Sequence, residues 1–179
     1  ISIMLMDAGV DTGPVLNTAA LPITADDTTG TLTPRLAALG ANLLIDTLPA
    51  YLRGDIQPQP QEDADATYAP RINKEDGQID WTEPADLIAR RVRAYQPWPS
   101  AYTTWNGLLL KVLRSRAANE GPVNTVPGTV IVGPRGTAGV VTGRGVLWLE
   151  EVQLAGKRAL PVNAFAAGAR GFIGSRLPG

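Results

Sequence analysis

The sequence predicts an α/β segment, then a linker, then a small β-barrel of the oligonucleotide-binding kind with a leading helix. Three observations carry that expectation. Apolar residues near the start fall first in strand-like runs and then at helical spacing. A polar, Pro-bearing stretch interrupts the chain from Asp55 to Ala69. Beyond Ala101, short β-branched runs alternate with Gly-rich turns. An open sandwich is the alternative for the β module. With 179 residues, 44% of them apolar, the chain suits one large domain or two small ones.

The run Ile1-Ser2-Ile3-Met4-Leu5-Met6 is apolar and strand-like, with no initiator Met and no polar lead-in. It reads as a chain entered mid-strand, hence as a fragment truncated at its N-terminus. Asp7-Ala8-Gly9-Val10-Asp11-Thr12-Gly13-Pro14 is a loop, dense in residues that permit tight turns. Val15 to Ile23 has the composition of a short strand, and Pro22 confines it to an edge or an end. Cap candidates from Thr24 to Thr29 lead into Leu32, Leu36, Leu39 and Leu43, whose spacing places them on one helical face. Pro34 fits the first turn of that helix, and Pro49 should bend it or end its main part before a last turn reaching Arg53 and Gly54.

After the linker, Ala85 to Tyr95 returns to helical spacing, with Leu87, Ile88 and Val92 as the buried stripe and Pro97-Trp98-Pro99 as the stop. The β module then reads as Ala101–Trp105, Leu108–Arg114, Gly128–Val132, Gly139–Val141 and Val146–Leu154. Asn106-Gly107 is a hairpin signal. Val162 to Ala169 is expected to be a short terminal helix.

Composition excludes several chemistries. The chain has no His and no Cys, so by itself it forms no Ser/His/Asp triad, no Cys nucleophile and no Cys/His metal site. The formal net charge of −1 hides an asymmetry. Residues 1 to 73 carry net −6, whereas residues from Leu87 onward carry twelve basic against three acidic side chains. Such asymmetry points to two modules, one of which meets a polyanion. No apolar run is long enough for a membrane span, so a soluble protein is expected, and the expected location is cytoplasmic.

Three constellations are candidates for chemistry. Asp7 and Asp11 stand beside a strand end, with Gly9 and Gly13 letting the backbone approach a ligand. The competing reading, which spacing alone favours, is that the same carboxylates merely cap turns. The glycines Gly133, Gly136, Gly139, Gly143 and Gly145 match neither a dinucleotide fingerprint nor a phosphate loop, and hairpin turns explain them better. Trp81, Tyr95, Trp98, Tyr102, Trp105 and Trp148 interleave with basic residues, as base stacking would require. Such aromatics more often fill a barrel core, which leaves the basic residues as the better functional candidates.

The run Met6-Asp7-Ala8-Gly9-Val10-Asp11-Thr12-Gly13-Pro14-Val15 resembles the strand-and-loop motif of formyltransferases that use 10-formyltetrahydrofolate. Ile72-Asn73-Lys74-Glu75-Asp76-Gly77-Gln78-Ile79-Asp80-Trp81 and Val92-Arg93-Ala94-Tyr95-Gln96-Pro97-Trp98-Pro99-Ser100-Ala101-Tyr102 resemble the methionyl-tRNA formyltransferases in particular. The resemblance implies the later part of a Rossmann-like catalytic domain at 1–54, a linker at 55–73 and an oligonucleotide-binding-like domain at 74–179. It also implies a catalytic Asn, His and Asp, of which only the Asp has a match here, Asp11. The Asn and the His belong upstream of Ile1, so this chain alone is expected to be inactive. The residues Asp7, Ala8, Gly9, Val10 and Asp11 match the loop that meets the pterin ring of the folate.

For tRNA, the resemblance implies phosphate contacts from Arg71 and Lys74 and from the barrel residues Lys111, Arg114, Arg116, Lys157 and Arg158. The implied reaction moves a formyl group from 10-formyltetrahydrofolate to the amino group of initiator methionyl-tRNA in translation initiation. No metal, membrane or protein partner is implied. Two alternatives remain: a formyltransferase or hydrolase acting on an amino sugar nucleotide or on water, and a non-catalytic RNA-binding module. The basic stretch from Leu87 favours tRNA, because a sugar nucleotide needs few cations.

Overall fold

In the computed structural model, residues 1–122 and 124–179 are described, and they divide into two compact units, Ile1–Arg71 and Ile72–Gly179. In the first unit, β1 (Ser2–Met4) pairs antiparallel with β2 (Val15–Thr18), Ser2 standing opposite Thr18. The ladder's last rung runs from the Ala19 N–H to the Ile1 carbonyl at 2.9 Å. β2 therefore stops well short of Ile23; beyond that rung, Pro22 has no N–H with which to extend a ladder.

Helix α1 (Thr29–Leu52) starts from a capping box. The Thr28 hydroxyl accepts from the Thr31 N–H and the Thr31 hydroxyl accepts from the Thr28 N–H. This cap lies upstream of the point where the leucine pattern begins, so Pro34 falls in the second turn rather than the first. The last turn expected after Pro49 is present: the helix runs on to Leu52 and closes with the Arg53 N–H on the Pro49 carbonyl at 3.1 Å. Among the described residues of this unit, only Gly13, Asp27 and Thr47 are buried. The stretch read as a linker is tied down in two places. Val15 and Gln59 exchange both backbone hydrogen bonds at 2.8 Å, and the Gln61 side chain donates to the Asp11 and Gly13 carbonyls.

The second unit is built on α2 (Ala85–Ala94) and a curled antiparallel sheet. Its strands are β3 (Ala101–Trp105), β4 (Leu108–Ala118), β5 (Val130–Val132), β6 (Ala138–Val141), β7 (Val146–Leu154) and β8 (Leu160–Pro161), and α3 (Val162–Gly168) follows. The sheet runs in the order β3-β4-β7-β6-β5, with β8 against β7. β4 extends beyond Arg114 to Ala118, because register shifts around Arg114 let it follow β7 through a bend and pair Ala118 with Val146. Among the described residues no ladder joins β3 to β5, so the strand pairings alone draw a curled sheet rather than a closed barrel.

The core takes Ile88, Ala89 and Val92 from α2, with Leu87 only half-buried because Ala85, Ala89 and Val92 complete the inward face. From the sheet come Leu110, Val112, Val140, Leu147, Leu149 and Val152. Trp105, Phe165 and Phe172 meet edge to face, with ring centroids 5.0 to 5.7 Å apart, where α3 and the following turn close over the sheet. Among the described residues no helix is long and apolar enough to cross a membrane.

Candidate functional site

The Asp7–Pro14 loop in the first unit separates its two carboxylates by role. Asp7 Oδ1 accepts from the Gly9 N–H at 3.0 Å and from the Thr12 hydroxyl at 2.7 Å, which makes it a turn-former. Asp11 sits in the left-handed region at φ +58, uncommon for a residue with a side chain. Gln61 holds that conformation by donating to the Asp11 carbonyl at 2.9 Å and the Gly13 carbonyl at 2.7 Å. Gly13 is buried, and a Cβ there would collide with the Leu5 carbonyl oxygen, so the loop doubles back on β1 only with glycine at this position. Among the described residues the Asp11 carboxylate has no hydrogen-bond or ion-pair partner. Asp7, Ala8, Gly9, Val10 and Asp11 are all exposed, Val10 at 89%.

A second acidic group guards the entry to α1. Asp27 accepts from the Thr24 N–H at 2.8 Å, from Arg35 Nη1 at 2.7 Å and from the Thr31 hydroxyl at 3.1 Å. The Thr24 amide, then the Arg35 guanidinium, hold its carboxyl far below the usual carboxylate range. These bonds are spent on structure, which gives Asp27 no role toward a ligand.

In the second unit the bent sheet gathers three of the expected basic residues on one face. Leu110 and Val112 point into the core, so Lys111 points out, and the register shifts keep Arg114 and Arg116 on the same outer side. Across from them on β7, the alternation Leu147, Leu149 inward leaves Trp148 and Glu150 outward. Glu150 then sits between two cations: Arg116 Nε lies 2.5 Å from Oε1 and Arg114 Nη2 lies 3.5 Å from Oε2. Lys111 stands opposite Gln153, whose side-chain amide donates to the Lys157 carbonyl at 2.9 Å. The exposed turn bearing Lys157 and Arg158 therefore extends this face at one end. Lys74 is exposed just ahead of a short 3₁₀ turn, Glu75–Gly77, and Arg71 is an exposed residue at the end of the first unit.

The aromatics divide. Trp81 is buried and Trp105 packs against the core, as expected, whereas Trp98 is 59% exposed and Trp148 is half-buried on the outer face. Trp148 is expected in the core with the other aromatics, and Glu150 is not singled out by the sequence. The signal for their outward placement is the alternation in Val146-Leu147-Trp148-Leu149-Glu150, which puts both residues opposite the leucines.

A formyl transferase model matches residues 1–48, and a model of the formyl transferase C-terminal domain matches residues 71–170. A methionyl-tRNA formyltransferase of Roseiflexus castenholzii is 45% identical over 179 residues, which is 100% of this chain and 57% of that protein. The chain thus spans a little over half the length of that relative. Among solved structures, HypX from Aquifex aeolicus in complex with tetrahydrofolic acid superposes with a TM-score of 0.61 at 18% identity, covering 97% of this chain and 31% of that one. Methionyl-tRNA formyltransferase from Clostridium thermocellum gives a TM-score of 0.50 at 21% identity, covering 79% of this chain and 56% of that one.

Proposed function

The chain belongs to the formyl transferase family, and from that premise we propose that it serves the transfer of a formyl group from 10-formyltetrahydrofolate to the amino group of initiator methionyl-tRNA. The observation that carries the choice of acceptor is the outer face of β4 and β7, where Lys111, Arg114 and Arg116 line up and continue into Lys157 and Arg158. A run of cations along one strand suits a phosphate backbone, because each neutralised phosphate releases counterions. Lys74 and Arg71 are the remaining phosphate-binding candidates in this reading. The proposed setting is translation initiation in the cytoplasm.

The finer reading of the second unit as an oligonucleotide-binding-like barrel has structural support at the gap between its end strands. The Gly174 and Leu177 N–H groups donate to the Val130 and Gly128 carbonyls at 2.8 Å, while Thr103 of β3 donates its hydroxyl to the Pro178 carbonyl at 2.6 Å. The 174–178 segment thus bridges β5 to β3. The first unit would be part of a Rossmann-like catalytic domain.

The Asp7–Asp11 loop fits a pterin ring by its chemistry. It offers one unspent carboxylate, that of Asp11, which accepts from ring N–H donors, and beside it the apolar Val10 side chain. Asp7 and Gly9 shape the loop, Ala8 and Val10 supply backbone and apolar surface, and Asp11 faces the reacting groups. When bound, the folate supplies the formyl carbon; the part of Asp11 is to fix hydrogen-bond donors beside it.

The test is a chimera. The Roseiflexus castenholzii protein, with its matching segment replaced by this chain, should formylate methionyl-tRNA from 10-formyltetrahydrofolate. Asp11→Ala should lower kcat/KM by about a hundredfold or more, as loss of a positioned acid–base group does. An active chimera unaffected by Asp11→Ala would remove Asp11 from the site. A folded chimera with formyl transfer to an amino sugar nucleotide and none to methionyl-tRNA would replace the acceptor.

A further inference from the structure

We propose that the outer face of the second unit holds a stacking platform for one unpaired base of an RNA: the indole of Trp148, seated on the backbone of Gly133 and Gly139 and flanked by Arg116 and Arg114 on their shared carboxylate, Glu150. This rests on the tRNA reading above and assigns a base-binding subsite within it.

The seat comes first. Leu147 and Leu149 are fully buried on the core side, so Trp148 leaves β7 on the opposite face. There it crosses β6 and reaches the turn after β5. A Cβ on Gly139 would stand 2.6 Å from Trp148 Cε3, and a Cβ on Gly133 would overlap Cζ3. Both glycines are therefore the space that the ring fills. Gly139 lies directly opposite Trp148 inside the β6–β7 ladder, so its lack of a side chain is not explained by a turn. The Cε3–Cζ3 edge of the ring thus lies over glycine backbone, and Trp148 keeps part of its surface exposed.

The flank comes second. Arg116 is the cross-strand partner of Trp148, and its side chain is 72% exposed although its Nε is bound to Glu150. Arg114 meets the other oxygen of the same carboxylate and is 66% exposed. One acidic group thus orders two long cations and leaves each with guanidinium donors facing water, which lowers the entropy lost when they meet phosphate.

The ligand follows from the combination. A flat ring with no hydrogen-bonding group on its face accepts any base, so it selects an unpaired base over one already stacked in a duplex, and the arginines hold the backbone on either side of it. A protein partner would leave the paired arginines without phosphates to meet, and a membrane surface offers no flat ring to stack.

The experiment uses the whole chain with three probes: a tRNA transcript, a single-stranded oligoribonucleotide and a blunt RNA duplex of equal length. Trp148→Leu keeps an apolar side chain over the glycines but removes the aromatic face. It is expected to weaken single-strand and tRNA binding about tenfold while leaving the salt dependence unchanged, and Trp148→Phe should recover most of the loss. Arg116→Gln should instead lower the salt slope by about one for all three probes. The indole N–H resonance of Trp148, assigned by its loss in Trp148→Phe, should shift with the single strand and not with the duplex. Equal weakening on the duplex, no weakening on any probe, or an unmoved indole resonance overturns the platform and leaves tRNA binding standing. The resonance decides the matter even if Trp148→Leu fails to fold. No RNA binding by the unsubstituted chain overturns both.

Discussion

The two units spend their apolar residues in opposite ways. In Ile72–Gly179, Trp81, Ile88, Leu110, Leu147, Phe172 and Leu177 are all 2% exposed or less, and the core runs from α2 through the sheet to α3. Among the described residues of Ile1–Arg71 no apolar side chain is fully buried. Helix α1 leaves Ile45 at 69% and Leu52 at 75%, and its one buried residue is Thr47, which accepts from the Asn17 side-chain amide at 3.0 Å. Within this chain the second unit therefore has a closed hydrophobic core, whereas the first buries Leu16, Leu36, Leu39 and Leu43 only in part and adds capping and side-chain-to-backbone bonds. Both carry a family match and both carry candidate site residues.

That contrast sets the size of mutational effects. Phe172→Ala removes a side chain with no exposure from the aromatic trio, and it should cost about 3–5 kcal/mol of unfolding free energy in urea. Leu52→Ala on the solvent side of α1 should stay within about 0.5 kcal/mol. Comparable losses at the two positions would erase the distinction between the units. Gly13→Ala should leave the urea midpoint of the second unit in place yet rearrange the Asp7–Pro14 loop, because its Cβ collides with the Leu5 carbonyl. Amide shifts confined to residues 5–15 and to the Gln59–Gln61 stretch are the expected signature.

The first unit's reliance on polar contacts should also appear as a pH dependence. Asp27 is depressed from its ordinary value of 3.8, so the unfolded chain binds its proton more readily than the folded one. Stability from this group is therefore fully present above that value and is lost as pH falls below it. Protection of the Thr31 and Leu32 amides in the first turn of α1 should fade on acidification below pH 3.8, while amides of β4 and β7 keep theirs. Arg35→Gln should move the fading to higher pH, since one of the groups that lower the Asp27 pKa is then gone. Fading at the same pH in both units would contradict the assignment.

The sequence was legible wherever a periodicity had only one structural solution. The alternating strands β3, β6 and β7, the Asn106-Gly107 hairpin and the α2 face are where the pattern puts them. Boundaries failed where an interaction outside the pattern intervened. The Thr28–Thr31 capping box started α1 ahead of its leucines, and the bends around Arg114 carried β4 to Ala118. The Asp7–Asp11 motif was visible as a motif, but the division of labour inside it was not. Asp7 forms the turn through Gly9 and Thr12, while the backbone at Asp11 is held by Gln61, distant in sequence. The pairing of Arg114 and Arg116 through Glu150 was hidden for the same reason, since it needs the register of β4 on β7. Trp148 was read with the core aromatics because composition does not say which face of a strand a ring occupies.

The smallest predicted change, and the most direct test, is the salt dependence of tRNA binding by this chain. The logarithm of the association constant should fall linearly with the logarithm of salt concentration, with a slope set by several phosphate contacts. Arg114→Gln and Arg116→Gln should each reduce that slope by about one, and Lys157→Ala and Arg158→Ala should do likewise. A flat salt dependence, or a slope untouched by all four substitutions, would contradict the reading of this face as the surface that meets tRNA.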